Sequence, residues 1–104
     1  RRDASGKFLW PGFGDNLRVL RWIIDRCEGK VGAVETPIGF LPKPSDIDVK
    51  GLDVSRATLD QLLAVDPEQG RKEMASIGEY FAEFGERLPA ELKAEHQKVM
   101  SALG

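Results

Sequence analysis

No helix can run unbroken from Gly29 to Pro44. Gly29, Gly32, Pro37, Gly39, Pro42 and Pro44 punctuate the stretch. Proline lacks a backbone N–H and its ring collides with the preceding helical turn. Glycine is the usual residue at a helix C-terminus and a poor one inside a helix. The chain is therefore divided into a first helix, an extended middle and a helical remainder. Pro37 and Pro42 cannot donate to a strand ladder, so the run Ala33–Pro42 can form only a short or edge strand. Ile47, Val49 and Leu52 alternate with polar residues and can anchor a second extended stretch.

On either side the helical signals are direct. Asp15 or Asn16 can cap a helix in which Leu17, Leu20, Ile24 and Cys27 recur at helical spacing, beside Val19, Trp22 and Ile23. So broad an apolar stripe predicts burial on more than one side, Cys27 included. Downstream, Thr58 is expected to cap a short helix carrying Leu59, Leu62, Leu63 and Val65. Asp66-Pro67 is a cap followed by proline at the first helical position. Leu88-Pro89 opens the last helix, with Leu92, Val99, Met100 and Leu103 on one face. The expected helices are 16–27, 67–84 and 90–103. The fold class is mainly α (α+β), helical with a short strand segment. The chain divides into a loop at 1–16, the helix 16–27, an extended and loop region at 30–54 and a helical region at 58–103. Gly70 and Gly78 inside the second long helix each weaken it by about 1 kcal/mol relative to alanine, so tertiary packing must support it.

Size and charge bound the function classes. A chain of 104 residues makes one small domain. Fifteen basic against seventeen acidic residues leave a net charge of −2, which gives no general attraction to nucleic acid or to an anionic membrane. No apolar stretch approaches the length of a membrane span. The single cysteine, Cys27, cannot form an intrachain disulfide, in keeping with a reducing cytoplasm. The chain opens in loop-like sequence without methionine, which predicts an excised piece of something longer.

The unusual segment is Phe8-Leu9-Trp10-Pro11-Gly12-Phe13-Gly14-Asp15-Asn16. Loops are ordinarily polar because they face water. Three aromatics here must either pack together as a small core or hold a ligand. A purine needs planes for its faces and polar groups for its edge. Phe8, Trp10 and Phe13 supply planes, Gly12 and Gly14 permit close backbone approach, and Asn16 carries both a donor and an acceptor. Guanine and adenine present opposite polarity at the same edge, so an amide can discriminate between them.

This segment, with Gly6-Lys7 before it and Leu17-Arg18-Val19-Leu20 and Trp22 after it, resembles the guanine-binding loop of the GTP-dependent phosphoenolpyruvate carboxykinases. The likeness continues through Thr36-Pro37-Ile38-Gly39-Phe40-Leu41-Pro42 and Lys50-Gly51-Leu52. The resemblance implies a parent lyase of gluconeogenesis that converts oxaloacetate and GTP to phosphoenolpyruvate, CO2 and GDP. It implies Mn2+ and a second, nucleotide-bound divalent ion, with the guanine nucleotide and the remainder of the parent chain as partners. It places the GTP/GDP contacts of this segment on Phe13, Gly14, Asp15 and Asn16, with Phe8 at the side of the pocket and Trp10 supporting the loop. Phe13 would stack on the base and Asn16 would read its edge. No catalytic or metal residue is carried over. There is no GxxxxGK[ST] string to cradle phosphates. His96 has no second ligand at metal spacing and is expected to pack or face solvent. Arg18 and Arg21 are expected to form a solvated or ion-paired face. The competing expectation is a free-standing helical module that docks on a protein partner through the aromatic loop and the apolar stripes.

Overall fold

A computed structural model describes all residues, Arg1–Gly104. Four α-helices and one two-stranded antiparallel hairpin form along the chain: α1 (Asn16–Cys27), β1 (Val34–Thr36), β2 (Gly39–Leu41), α2 (Arg56–Leu63), α3 (Pro67–Ala82) and α4 (Ala90–Leu103). Short 3-10 turns at Phe13–Asp15, Pro44–Asp46 and Gly85–Arg87 connect them. The mainly α class and the three long helices are as the sequence predicts, except that α3 ends at Ala82. Beyond it the backbone tightens into the turn at Gly85, whose φ is 53°.

The Cα framework divides into two compact units. One comprises residues 1–35 with 40–64, the other 65–104 with the hairpin tip 36–39. In the first unit the buried apolar residues are Trp22, Ile47, Val54 and Leu59. Helix α1 ends as its sequence suggests. Gly29 takes φ 73°, its N–H donates to the Arg26 carbonyl, and the Lys30 N–H reaches back to the Asp25 carbonyl at 2.8 Å. That pair of bonds satisfies carbonyls which the helix itself leaves free.

Two cap assignments differ from expectation. The side chain that caps α2 is Ser55, which accepts from the Thr58 N–H at 3.1 Å; Thr58 lies within the first turn and bonds the Ser55 hydroxyl. At α1 neither Asp15 nor Asn16 caps through its side chain. The preceding 3-10 turn runs straight into the helix and leaves Asp15 helical, so both side chains turn elsewhere. The extended segment is likewise a hairpin rather than one strand. Pro37 forbids the positive φ that common two-residue hairpin turns require at that position. The positive φ falls on Gly39 instead, at 119°, and the Thr36 hydroxyl donates to the Gly39 carbonyl at 2.6 Å.

In the second unit α3 and α4 pack closely because α3 carries glycines where α4 approaches. A Cβ on Gly70 would lie 2.9 Å from the buried Leu103 side chain, and one on Gly78 would lie 3.3 Å from the His96 ring. The helix propensity lost at these glycines is therefore exchanged for contact. His96 donates from Nε2 to the Met74 carbonyl at 2.6 Å and lies 5.8 Å from the Phe81 ring, a packing role rather than a ligand. Arg71 donates to the carbonyls of Leu103 and Gly104, at 2.8 and 3.3 Å, where the C-terminus of α4 concentrates negative charge.

Asp66 caps α3 through bonds from the Glu68 and Gln69 N–H groups, at 2.9 and 3.4 Å, with Pro67 next in sequence. Asp66→Ala is expected to lower unfolding stability by about 1 kcal/mol, the usual cost of losing such a cap. Denaturant titration of the two proteins measures this; equal midpoints would show that the cap contributes nothing.

Candidate functional site

The N-terminal segment is not an open loop but a small hairpin leading into a pinned turn. Asp3 organises it. Its carboxylate accepts from the Ser5 hydroxyl at 2.7 Å, the Ser5 N–H at 2.9 Å and the Lys7 N–H at 3.0 Å. The Ser5 hydroxyl, then the Lys7 N–H, hold that carboxyl below its ordinary pKa by stabilising the charged form. Backbone bonds Asp3–Lys7 and Leu9–Arg1 complete the hairpin, and the Arg2 guanidinium sits 4.2 Å over the Phe8 ring.

Past the hairpin the chain turns at Gly12, whose φ of 127° and ψ of −164° belong to a region that only glycine occupies readily. The next residue, Phe13, is 92% exposed. An apolar side chain held so fully in water covers nothing in its own chain. At the far end of the turn Arg18 acts as a clamp. It pairs with the Asp15 carboxylate at 3.3 Å and donates to the Asp48 carbonyl at 2.9 Å, which ties the start of α1 to the segment before α2. Arg21 pairs with Asp25 at 3.4 Å. Both arginines are ion-paired, as expected.

Between these anchors the indole N–H of Trp10 donates to Asn16 Oδ1 at 2.9 Å. Trp10, Phe13 and Asn16 stand at one side of an apolar groove of about 720 Å³. Its walls come from Val19, Leu20 and Ile23 of α1, Phe40 and Leu41 of β2, and Leu59, Leu62 and Leu63 of α2. The five residues singled out from sequence do not share one surface. Phe13 and Asn16 line this groove. Gly14 and Asp15 line a charged depression with Arg18, Arg21, Asp46 and Asp48. Phe8 lines a third hollow with Lys7, Pro11 and Leu52. The sequence contained no local signal for the Trp10–Asn16 bond beyond one donor and one acceptor in the same loop.

Helix α1 departs from expectation in its burial. Only Trp22 is buried; Leu17, Leu20, Ile23 and Ile24 are exposed, as is Cys27. Leu20 and Ile23 face the apolar groove, whereas Leu17 and Ile24 face the charged depression. The Trp22 Nε1–H is buried without a partner. No group of three or more His, Cys, Asp or Glu side chains is placed to hold a metal ion. No helix is long and apolar enough to cross a membrane.

In structural class this is a mainly helical chain presenting a pinned aromatic loop. The profile of the family described as phosphoenolpyruvate carboxykinase C-terminal P-loop domain matches residues 1–102. The phosphoenolpyruvate carboxykinase [GTP] of Paenarthrobacter aurescens is 54% identical over 104 residues, covering all of this chain and 17% of that protein. The enzyme of the same name from an Arthrobacter species is 53% identical over 95 residues, covering 91% of this chain and 16% of the relative. That of Renibacterium salmoninarum is 49% identical over 104 residues, all of this chain and 17% of the relative. The chain belongs to the GTP-dependent phosphoenolpyruvate carboxykinase family and spans about a sixth of the length of these relatives.

Proposed function

We propose that this chain is the guanine-recognition segment of an enzyme that converts oxaloacetate and GTP to phosphoenolpyruvate, CO2 and GDP. The observation that carries the proposal is Phe13, a fully exposed aromatic plane placed by a glycine-only backbone turn beside an amide. That arrangement supplies what a purine needs, a face to stack on and a polar edge to read. Membership of a family whose named relatives are GTP-dependent selects guanine among the purines.

In this reading Phe13 stacks on the base and Asn16 contacts its edge. The backbone at Gly14 and Asp15 lies alongside, and Phe8 braces the hairpin behind. The chemistry is supplied elsewhere in the longer protein. Decarboxylation of oxaloacetate leaves an enolate whose oxygen attacks the terminal phosphate of GTP, and the family's Mn2+ and nucleotide-bound divalent ion would stabilise the charge. The residues of this chain do not fit those ions. Its contribution is to hold and orient the nucleotide at the end remote from the transferred phosphate.

The test is a comparison of nucleotides in the full-length protein. GTP should support phosphoenolpyruvate formation from oxaloacetate well above ATP. Asn16→Ala should narrow that preference by roughly tenfold, since a buried base edge would lose a polar partner. Equal use of GTP and ATP by the unaltered protein would refute guanine recognition.

A further inference from the structure

We propose that Trp10 sets the choice between guanine and adenine by fixing which way round the Asn16 amide faces. The inference rests on the reading above, in which Asn16 meets the base edge, and names what makes that contact selective. A primary amide is nearly symmetric in shape but not in chemistry. One branch accepts hydrogen bonds and the other donates them, and a half-turn about the last side-chain bond exchanges them. An asparagine free to turn can face either a carbonyl or an amino group, so alone it discriminates poorly.

In this chain it is not free. The indole of Trp10 can only donate, so the atom it meets at 2.9 Å must be the amide oxygen. With the oxygen engaged by the protein, the two N–H bonds of Nδ2 are left for a ligand, and no protein group accepts from them. The ligand position facing Nδ2 must therefore be an acceptor. At purine C6, guanine carries a carbonyl oxygen, an acceptor, where adenine carries an amino group, a donor. Adenine would set donor against donor, and a half-turn of the amide to relieve this would leave the indole N–H facing Nδ2 instead. Trp10 is itself part-buried, and the clamp of Arg18 ties the start of the helix that bears Asn16 to the segment at Asp48, which restrains both partners of the bond. Trp10 touches no reacting atom; it is a positioning residue that acts through Asn16.

The experiment measures dissociation constants in the full-length protein for GTP, inosine triphosphate, 2-aminopurine riboside triphosphate and ATP. Inosine triphosphate keeps the C6 oxygen and lacks the 2-amino group. The 2-aminopurine nucleotide keeps that amino group and lacks the C6 oxygen. Trp10→Phe retains an aromatic plane and removes the N–H donor, along with the smaller ring that carries it. It should reduce the preference for GTP over ATP by about 3- to 10-fold, the range of one neutral hydrogen bond, and leave the ratio of GTP to inosine triphosphate unchanged. The preference for GTP over the 2-aminopurine nucleotide should fall in parallel. Asn16→Asp keeps an acceptor for Trp10 and removes both donors, so it should favour ATP over GTP. If Trp10→Phe weakens all four nucleotides by one factor, or changes none, while Asn16→Ala still loses its preference for GTP, the orienting role is overturned and the guanine site stands. If Asn16→Ala binds all four as before, the guanine-edge contact fails and the orienting role with it.

Discussion

Phe13→Ala is expected to weaken GTP binding by the full-length protein by roughly 5- to 150-fold, the equivalent of about 1–3 kcal/mol for one aromatic stacking plane. The ring is 92% exposed, so its removal takes no apolar area out of the folded interior and should leave thermal stability essentially unchanged. That separation makes the experiment clean: affinity falls while the unfolding midpoint stays. Phe13→Tyr, which keeps the plane, should restore most of the affinity. Calorimetric titration with GTP and with ATP gives both constants. A weaker effect is expected for ATP if adenine stacks on the same ring without its edge being satisfied. Unchanged GTP affinity in Phe13→Ala would remove the stacking role, and with it the observation that carries the functional proposal.

The purified 104-residue chain is expected to lack carboxykinase activity, to bind GTP weakly and to self-associate. Leu17 is 71% exposed and Ile24 54%, and seven residues apart they lie on the same side of α1. Apolar surface of that kind drives association in water at about 25 cal/mol per Å² removed. The base contacts alone cannot replace the charge-assisted bonds that hold a triphosphate, and the chain has neither a phosphate loop nor a cluster fit for a divalent ion. Sedimentation across a concentration series, with GTP and manganese titrated in parallel, reads both halves. A well-behaved monomer that binds GTP tightly would show a self-sufficient nucleotide module. Leu17→Glu with Ile24→Glu should abolish the association without changing helix content.

The long helices were legible because their ends are written in local chemistry. Asp66-Pro67 starts α3, and Gly29 stops α1 through two backbone bonds that need only a positive φ. What could not be read was decided at a distance or by competition between near-equal residues. Ser55 and Thr58 are both good caps three residues apart, and sequence alone does not say which of them lies outside the helix. The hairpin at 34–41 hid behind Pro37, since its positive φ falls on Gly39, past the usual turn position. Burial of α1 was misjudged because an apolar stripe reports only a preference for cover, whereas burial needs a partner surface that this chain does not provide. The motif Phe8–Asn16 marked the candidate site, yet its division among three surfaces and the indole–amide bond depend on where the backbone turns at Gly12.

That turn also determines how freely the motif can vary. Its two glycines are equal as letters and unequal as constraints. Gly12 stands at φ 127°, where any side chain would force the backbone over and swing Phe13 off its mark. Gly14 lies in the 3-10 turn with ordinary backbone angles and open space around its missing Cβ. Drift in this loop is thus licensed by geometry on one side of the aromatic ring and forbidden on the other. Gly14 has room for a side chain, while Gly12 stays frozen.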